Sequence, residues 1–145
     1  MYKIAEELKA LTHYTSLYAE TVNSFDFKII VDQTIDTSSY LIPPMLIQPL
    51  IENAIKHGIG SNGNENLVEL EISHHGQDFL CCQVRDNGKG FKEADLLKSK
   101  SIALNIVQER LQNYKKPKDS APFDIISGNG TQSTKVTIII PFVLD

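Results

Sequence analysis

The sequence predicts an α/β two-layer sandwich: helices on one face of a mixed, mostly antiparallel sheet, preceded by an N-terminal helix. Three observations point there. Leu67 to His75 and Phe79 to Arg85 are apolar, partly alternating runs on either side of Gly76-Gln77-Asp78, the pattern of a hairpin. Phe123 to Ser127 and Lys135 to Phe142 read as two more strands, parted by Gly128-Asn129-Gly130. Leu46 to His57 and Ile102 to Lys116 instead carry the helical period. With 145 residues, 41% of them apolar and 22% charged, the chain suits a single folded domain with one core.

Taken in order, Ile4 to Val22 comes first. Ile4, Leu8, Leu11, Thr15, Tyr18 and Val22 form a heptad-like seam, so this helix wants a partner helix. Phe25 to Val31 reads as a strand and Asp32 to Ser39 as a polar connection. Pro43-Pro44 opens the next helix, because proline is tolerated in a first turn, and Gly58 ends it. After the hairpin, Asp86 to Gly90 is a glycine-punctuated turn, and a Lys-rich polar stretch runs to Lys100. The helix from Ile102 buries Leu104, Val107, Leu111 and Tyr114. Lys115 and Lys116 suit its negative end, and Pro117 stops it.

Composition removes several function classes. A net charge of −4 provides no basic field for a nucleic-acid backbone, so no nucleic-acid partner is expected. No apolar run approaches the ~20 residues of a membrane crossing, so no membrane contact by this stretch is expected. Cys81 and Cys82 are adjacent and poorly placed to bridge each other, which suits reduced thiols in a cytosolic compartment.

On a helical wheel, Leu46, Ile47, Leu50, Ile51, Ala54 and Ile55 cluster on one side, and Pro49, Glu52, Asn53 and Lys56 stand on the other, with His57 at its edge. Pattern alone favours a solvated face with an i,i+4 Glu52–Lys56 pair. The functional alternative is a metal–phosphate site. Asn53 would supply a neutral hard oxygen for Mg²⁺ and Lys56 a point charge for phosphate. Asparagine is a poor choice inside a helix, which tilts the balance toward function.

Asp86-Asn87-Gly88-Lys89-Gly90 invites the same comparison. Asn-Gly is a common turn dipeptide, and taken alone the segment reads as a surface turn. Alternatively Asp86 ends a buried strand and accepts a hydrogen bond from an exocyclic amine, while Gly88 and Gly90 let a flat ring approach the backbone. Other motifs are absent: there is no phosphate loop, no dinucleotide fingerprint and no nucleophile elbow. Gly88 spoils a calcium loop, and His13, His57, His74 and His75 lack zinc spacing with the cysteines.

Ile42-Pro43-Pro44-Met45-Leu46-Ile47-Gln48-Pro49-Leu50-Ile51-Glu52-Asn53-Ala54-Ile55-Lys56-His57-Gly58 closely resembles the N box of the LytS/YehU-like sensor histidine kinases. Val84-Arg85-Asp86-Asn87-Gly88-Lys89-Gly90-Phe91 resembles their G1 box. Ser101 to Leu111 stands where the G2 region belongs, and Ser133-Thr134-Lys135-Val136 takes the place of a Gly-Thr-x-Val element. Motif order and spacing match from Tyr14 onward, and on that resemblance the functional readings take precedence over the surface ones.

The resemblance implies the Bergerat-type ATP-binding fold shared with gyrase B, Hsp-type chaperones and MutL, with ATP and Mg²⁺ as cofactors. It implies Asn53 as the Mg²⁺ ligand and Lys56 and His57 as phosphate contacts. Asp86 would read the adenine amino group, Gly88 and Gly90 would shape the adenine pocket, and Ser101, Leu104 and Thr134 would complete the cofactor site. Hydrolytic members of the superfamily carry a carboxylate one turn before the asparagine. Pro49 stands there instead, which fits phosphoryl transfer to a protein side chain. Glu52 has two open roles, assisting the accepting histidine or organising Asn53 and Lys56.

Departures are also visible. Ser101 and Ala103 replace the G2 glycines, although Ser101 could cap the following helix and its amides still attract phosphate. Ser133 replaces a glycine. The Pro-His-Phe-Leu-Phe-Asn type of phosphoacceptor motif does not occur, and the surroundings of His13 do not match it. The expected organisation is therefore the end of a dimerisation helix over residues 1–22 and a catalytic ATP-binding domain over 23–145. This stretch would be the cytoplasmic part of a membrane-anchored bacterial sensor, unable to phosphorylate itself alone. Its partners would be a histidine-bearing dimerisation domain of the same protein, a homodimer at full length, and a response regulator. The alternatives are a non-catalytic nucleotide-binding or signalling module and, against Pro49, a dimer-clamp ATPase.

Overall fold

Strand alternation decides which side of the sheet becomes core. The computed structural model describes residues 1–21, 25–58, 66–88, 102–127 and 134–145. Its elements are β1 (Tyr2–Lys3), α1 (Ile4–Thr21), β2 (Asp26–Val31), β3 (Tyr40–Ile42), α2 (Gln48–Gly58), β4 (Leu67–His75) and β5 (Phe79–Asp86). They continue with α3 (Ile102–Leu111), β6 (Phe123–Ser127), β7 (Thr134–Pro141) and β8 (Val143–Leu144). The main sheet has the order β2-β4-β5-β7-β6, parallel between β2 and β4 and antiparallel elsewhere. Register stacks Leu70, Val84 and Val136 across three strands, then Ile72, Cys82 and Ile138. All six are buried. The intervening Glu69, Glu71, Gln83, Lys135 and Thr137 lie on the wetter face, as a one-sided sheet requires.

Helix α2 lays Leu50, Ile51, Ala54 and Ile55 into that core, and α3 adds Leu104, Val107 and Leu111. Each such Leu or Ile contributes ~1.5–3 kcal/mol by burial. The two-layer sandwich and mixed, mostly antiparallel sheet are as the sequence predicts. The hairpin lies where predicted, with Gly76 at φ +66 in its turn. Strand ends shift by one residue, as at Asp86 and Thr134.

Other expectations are corrected. Helix α2 starts at Gln48 rather than at the prolines. A proline disfavours the helical region for the residue before it, and Met45 then turns left-handed at φ 61. Helix α3 stops at Leu111 rather than Lys116. Gln112, Asn113 and Tyr114 donate to carbonyls three residues back, which tightens the chain out of the helix. Lys115 consequently serves the sheet, lying 3.7 Å from Asp78 and over the Phe79 ring at 5.7 Å.

The polar connection after β2 does more than span a gap. Asp32 and Asp36 accept from Thr34 and Ser38 amides at 2.9 and 3.0 Å in successive Asx turns. These turns lead into β3, the centre of a small sheet β1-β3-β8 that the sequence reading misses. Its outer strands are only two residues long, too short for any period to register. Tyr40 of β3 stacks on Phe142 at 4.7 Å, fastening this sheet to the chain end.

The seam of α1 packs inward, with Ile4 and Leu11 joining the domain core. That seam thus meets this domain itself. Residues 22–24, 59–65, 89–101 and 128–133 lie outside the described residues, including Val22 of the predicted seam, the Lys-rich stretch and Gly128-Asn129-Gly130.

Met45 is 45% exposed, so its left-handed backbone has little packing to sustain it. Met45→Gly should raise stability by roughly 0.5–1 kcal/mol, read from the denaturant midpoint. An unchanged or lower midpoint would show that no strain resides there.

Candidate functional site

Backbone register brings the start of β4, the end of β5, the start of β7 and the end of β6 to one end of the sheet. Val68 faces Asp86, Asp86 faces Thr134, and Thr134 faces Ser127. The chain leaves α2 for the start of β4 and returns to α3 after the end of β5. Arg110, near the end of α3, donates to the Met45 carbonyl before α2 at 2.7 Å, so the two helices run antiparallel. Helix α2 packs against α3 and against β4, β5 and β7.

Asp86 is the last residue of β5 and only 4% exposed. Its Oδ1 accepts from the Gly88 amide at 2.9 Å, and the Thr134 amide also donates to the carboxylate. Burial outweighs both bonds and pushes the carboxyl up to about 6. Asn87 braces the turn, its Oδ1 accepting from the Leu67 amide at 2.8 Å. Thr134 is itself 3% exposed.

Asn53 corrects the wheel. It was placed with the outward stripe, yet it is 2% exposed, and Pro49 one turn earlier is buried too. Its Oδ1 is buried with no hydrogen-bond partner among the described residues. A buried carbonyl oxygen left open costs ~1–3 kcal/mol unless something arrives to use it. A hard cation is one such group, so the residue fits a Mg²⁺ ligand on the structure's own terms.

The rest of the stripe divides. Glu52 is half-buried and accepts from Gln48 Nε2 at 3.2 Å, and no Glu52–Lys56 ion pair forms among the described residues. Lys56 is exposed and free to swing toward an anion. His57 belongs to the last turn of α2, but its side chain lies outside the described residues, as do Gly90 and Ser101. Leu104 is fully buried in the first turns of α3. Cys81 and Cys82 are free, and burial pushes both thiols up, which makes them poor nucleophiles. His13 is exposed on α1.

Residues 44–143 match the family described as histidine kinase-, DNA gyrase B-, and HSP90-like ATPase. The chain belongs to that family. The matched span of this ATPase-family domain contains every element of the site, from α2 to β7. Among curated proteins it is 29% identical to YwpD of Bacillus subtilis (strain 168) over 74% of this chain and 40% of that one. It is 34% identical to the sensor protein LytS of Staphylococcus haemolyticus (strain JCSC1435) over 64% of this chain and 16% of that one. The chain therefore spans less than half the length of either relative. Among solved structures it resembles the blue-light activated histidine kinase of Erythrobacter litoralis EL346 with a TM-score of 0.69. That match covers 96% of this chain and 42% of the other at 20% identity. The fold is accordingly of Bergerat type, and the LytS-like character read from the motifs stands.

Sequence reasoning gives Asn87 no role of its own, although it braces the turn after β5. It also passes over Glu7, which is 3% exposed on α1; the signal is available, because it lies one turn from both Ile4 and Leu11, on the apolar seam.

Proposed function

We propose that this chain is the ATP-binding catalytic domain of a two-component sensor histidine kinase. The observation that supports the reading is a pair of buried polar groups, the Asp86 carboxylate at the end of β5 and the Asn53 oxygen on α2, the latter without a hydrogen-bond partner among the described residues. Bound Mg·ATP would supply the γ-phosphoryl group and the metal charge that neutralises its oxygens. Asp86, held by Gly88 and Thr134 amides, accepts from the exocyclic amine of adenine. Gly88 and Gly90 would leave room for the base, and Thr134 and Leu104 would line the site. Asn53 would hold the metal through its oxygen, while Lys56, His57 and Ser101 would contact the phosphates.

Such a site acts chiefly by positioning and charge stabilisation, which suits phosphoryl transfer. Pro49 stands where a water-activating carboxylate would be needed for hydrolysis, so transfer to a histidine is the better fit. Glu52, half-buried and already bonded to Gln48, would assist the accepting imidazole or organise Asn53 and Lys56. The acceptor belongs to a dimerisation domain of a membrane-anchored homodimer, of which residues 1–22 form the end, and a response regulator takes the phosphoryl onward. No helix among the described residues is long and apolar enough to cross a membrane.

Titration calorimetry with Mg·ADP and Mg·ATP tests the binding. Dissociation constants from micromolar to sub-millimolar are expected. Silence at millimolar nucleotide would favour a non-catalytic module, for which Ser101 and Ala103 in place of glycines speak. Steady ATP turnover would favour a clamp ATPase. For transfer itself, labelled ATP and a separately made dimerisation hairpin are mixed with the domain; a hairpin that docks but stays unlabelled refutes the kinase reading.

A further inference from the structure

Strand β2 forms one edge of the main sheet, and among the described residues no strand pairs with its outer side. Its ladder to β4 runs unbroken from Asp26 to Val31, without the proline or bulge that commonly blunts an exposed edge. The Asp26 and Asp32 amides both donate toward β4, to the Asn66 and Ile72 carbonyls at 2.9 Å. Backbone groups alternate sides along a strand, so Phe27, Ile29 and Val31 turn their N–H and C=O groups to the open edge.

Side chains split this edge into two faces. Asp26 and Lys28 are exposed, and neither side chain has a hydrogen bond or ion pair among the described residues. Phe25 is buried and Phe27 and Ile29 are half-buried; all three line a 330 Å³ cleft that separates β2 from Thr15 and Ala19 of α1. A free edge beside an open apolar cleft suits an added strand.

Charge decides which strand and in which register. A closed pair of identical chains must add antiparallel, with odd-numbered residues opposite odd-numbered ones, because those carry the free backbone groups. Centring the pair on Asp26 or on Lys28 sets like charges against each other, and centring it on Ile29 sets Asp26 against Asp32. Centred on Ile30, Lys28 would face Asp32, whose carboxylate already accepts from the Thr34 amide and hydroxyl at 2.9 and 2.7 Å. Centred on Phe27, the uncommitted Asp26 and Lys28 meet twice, and Phe25 meets Ile29 twice on the cleft face.

We propose that two copies of this chain join edge to edge through β2, antiparallel, with Phe27 on the twofold axis and Asp26 opposite Lys28. The two main sheets then run on as one, and the apolar side chains of each β2 cover the open end of the other's cleft. This contact uses none of the residues assigned to the nucleotide and does not rest on that reading. It is also separate from any contact made by a dimerisation domain.

The test is sedimentation velocity on the whole chain, without nucleotide, across about 0.01–1 mM protein. A strand-edge contact is small, so a reversible monomer–dimer equilibrium with a high-micromolar dissociation constant is expected. Asp26→Lys and Lys28→Asp each turn two attractive pairs into repulsive ones, and each should raise that constant about tenfold. Combining the two exchanges the charges and should return the constant to within about threefold of wild type. Both positions are exposed, and an unchanged melting point shows that each variant folds. Register is read by oxidising a mixture of Asp26→Cys and Lys28→Cys chains, each also carrying Cys81→Ser. Opposed residues of such a pair lie ~4.5 Å apart at Cα, within disulfide reach, so the mixture should yield a linked heterodimer and Lys28→Cys alone should not. A wild type still monomeric at about 1 mM overturns the proposal. So does a dimer that ignores Asp26→Lys, since its contact lies elsewhere or is centred on Ile30, and so does a charge-exchanged variant that stays dissociated.

Discussion

Asp86→Asn should stabilise the domain at neutral pH by up to about 3 kcal/mol while weakening nucleotide binding at least tenfold. Burial raises the Asp86 carboxyl from 3.8 to about 6, roughly two units at about 1.4 kcal/mol each. The raised value means that folding favours the protonated form. Stability from this group is complete below the unfolded value near 4 and is lost as pH rises through about 6, where the ionised side chain must be kept buried. Asparagine keeps one acceptor oxygen for these amides and carries no charge, so it escapes that loss. The stability difference between variant and wild type should be near zero at pH 4, grow between pH 4 and 6 and level off above. Denaturant titrations across that range check it, and a difference independent of pH would refute it.

Binding should show the opposite sign. An adenine amine needs the carboxylate, so wild-type affinity for Mg·ADP should fall about tenfold per pH unit below 6. The Asn variant should be weak and flat with pH. Asp86→Ala, lacking any acceptor, should lose at least tenfold (~1.4 kcal/mol) at pH 7. A wild-type profile as flat as the variant's would remove Asp86 from base recognition.

Asn53→Leu should behave similarly for a different reason. The Asn53 oxygen is buried and unpartnered, and leucine has the same branching at Cγ without the polar atoms. Removing the orphaned acceptor should stabilise the nucleotide-free protein by ~1–3 kcal/mol. The Mg²⁺-dependent part of nucleotide affinity should vanish, leaving equal binding with and without the metal. Melting curves and calorimetry with and without Mg²⁺ report these separately. A Leu variant that is less stable and still responds to Mg²⁺ would mean that Asn53 is a core residue and no ligand. In both cases the domain gives up stability at its site, as working sites commonly do.

Much of this was legible in particular residues. Leu67 to His75 and Phe79 to Asp86 declare their hairpin because period-2 alternation survives over many residues and a Gly turn separates them. That Asn53 and Asp86 serve one site is what the resemblance in motif order implies. Other features left no trace in local pattern. Gln112 to Tyr114 continue the helical period of α3, yet the chain turns away there, and Lys115 then lies beside Asp78 and Phe79. A wheel cannot show that Asn53 is covered, because what covers it comes from elsewhere in the chain.

Periodicity and spacing were enough to name the layers and most of the strands, since each depends on neighbours within a few residues; the groups assigned to the site came from the resemblance of the motifs to a kinase family. Whether a polar group is wet or orphaned depends on distant segments that converge only in the folded molecule. Thus burial, and with it the raised Asp86 carboxyl and the open Asn53 oxygen, was settled by tertiary packing alone. Desolvation is a property of the surroundings and cannot be read from a residue's own place in the chain.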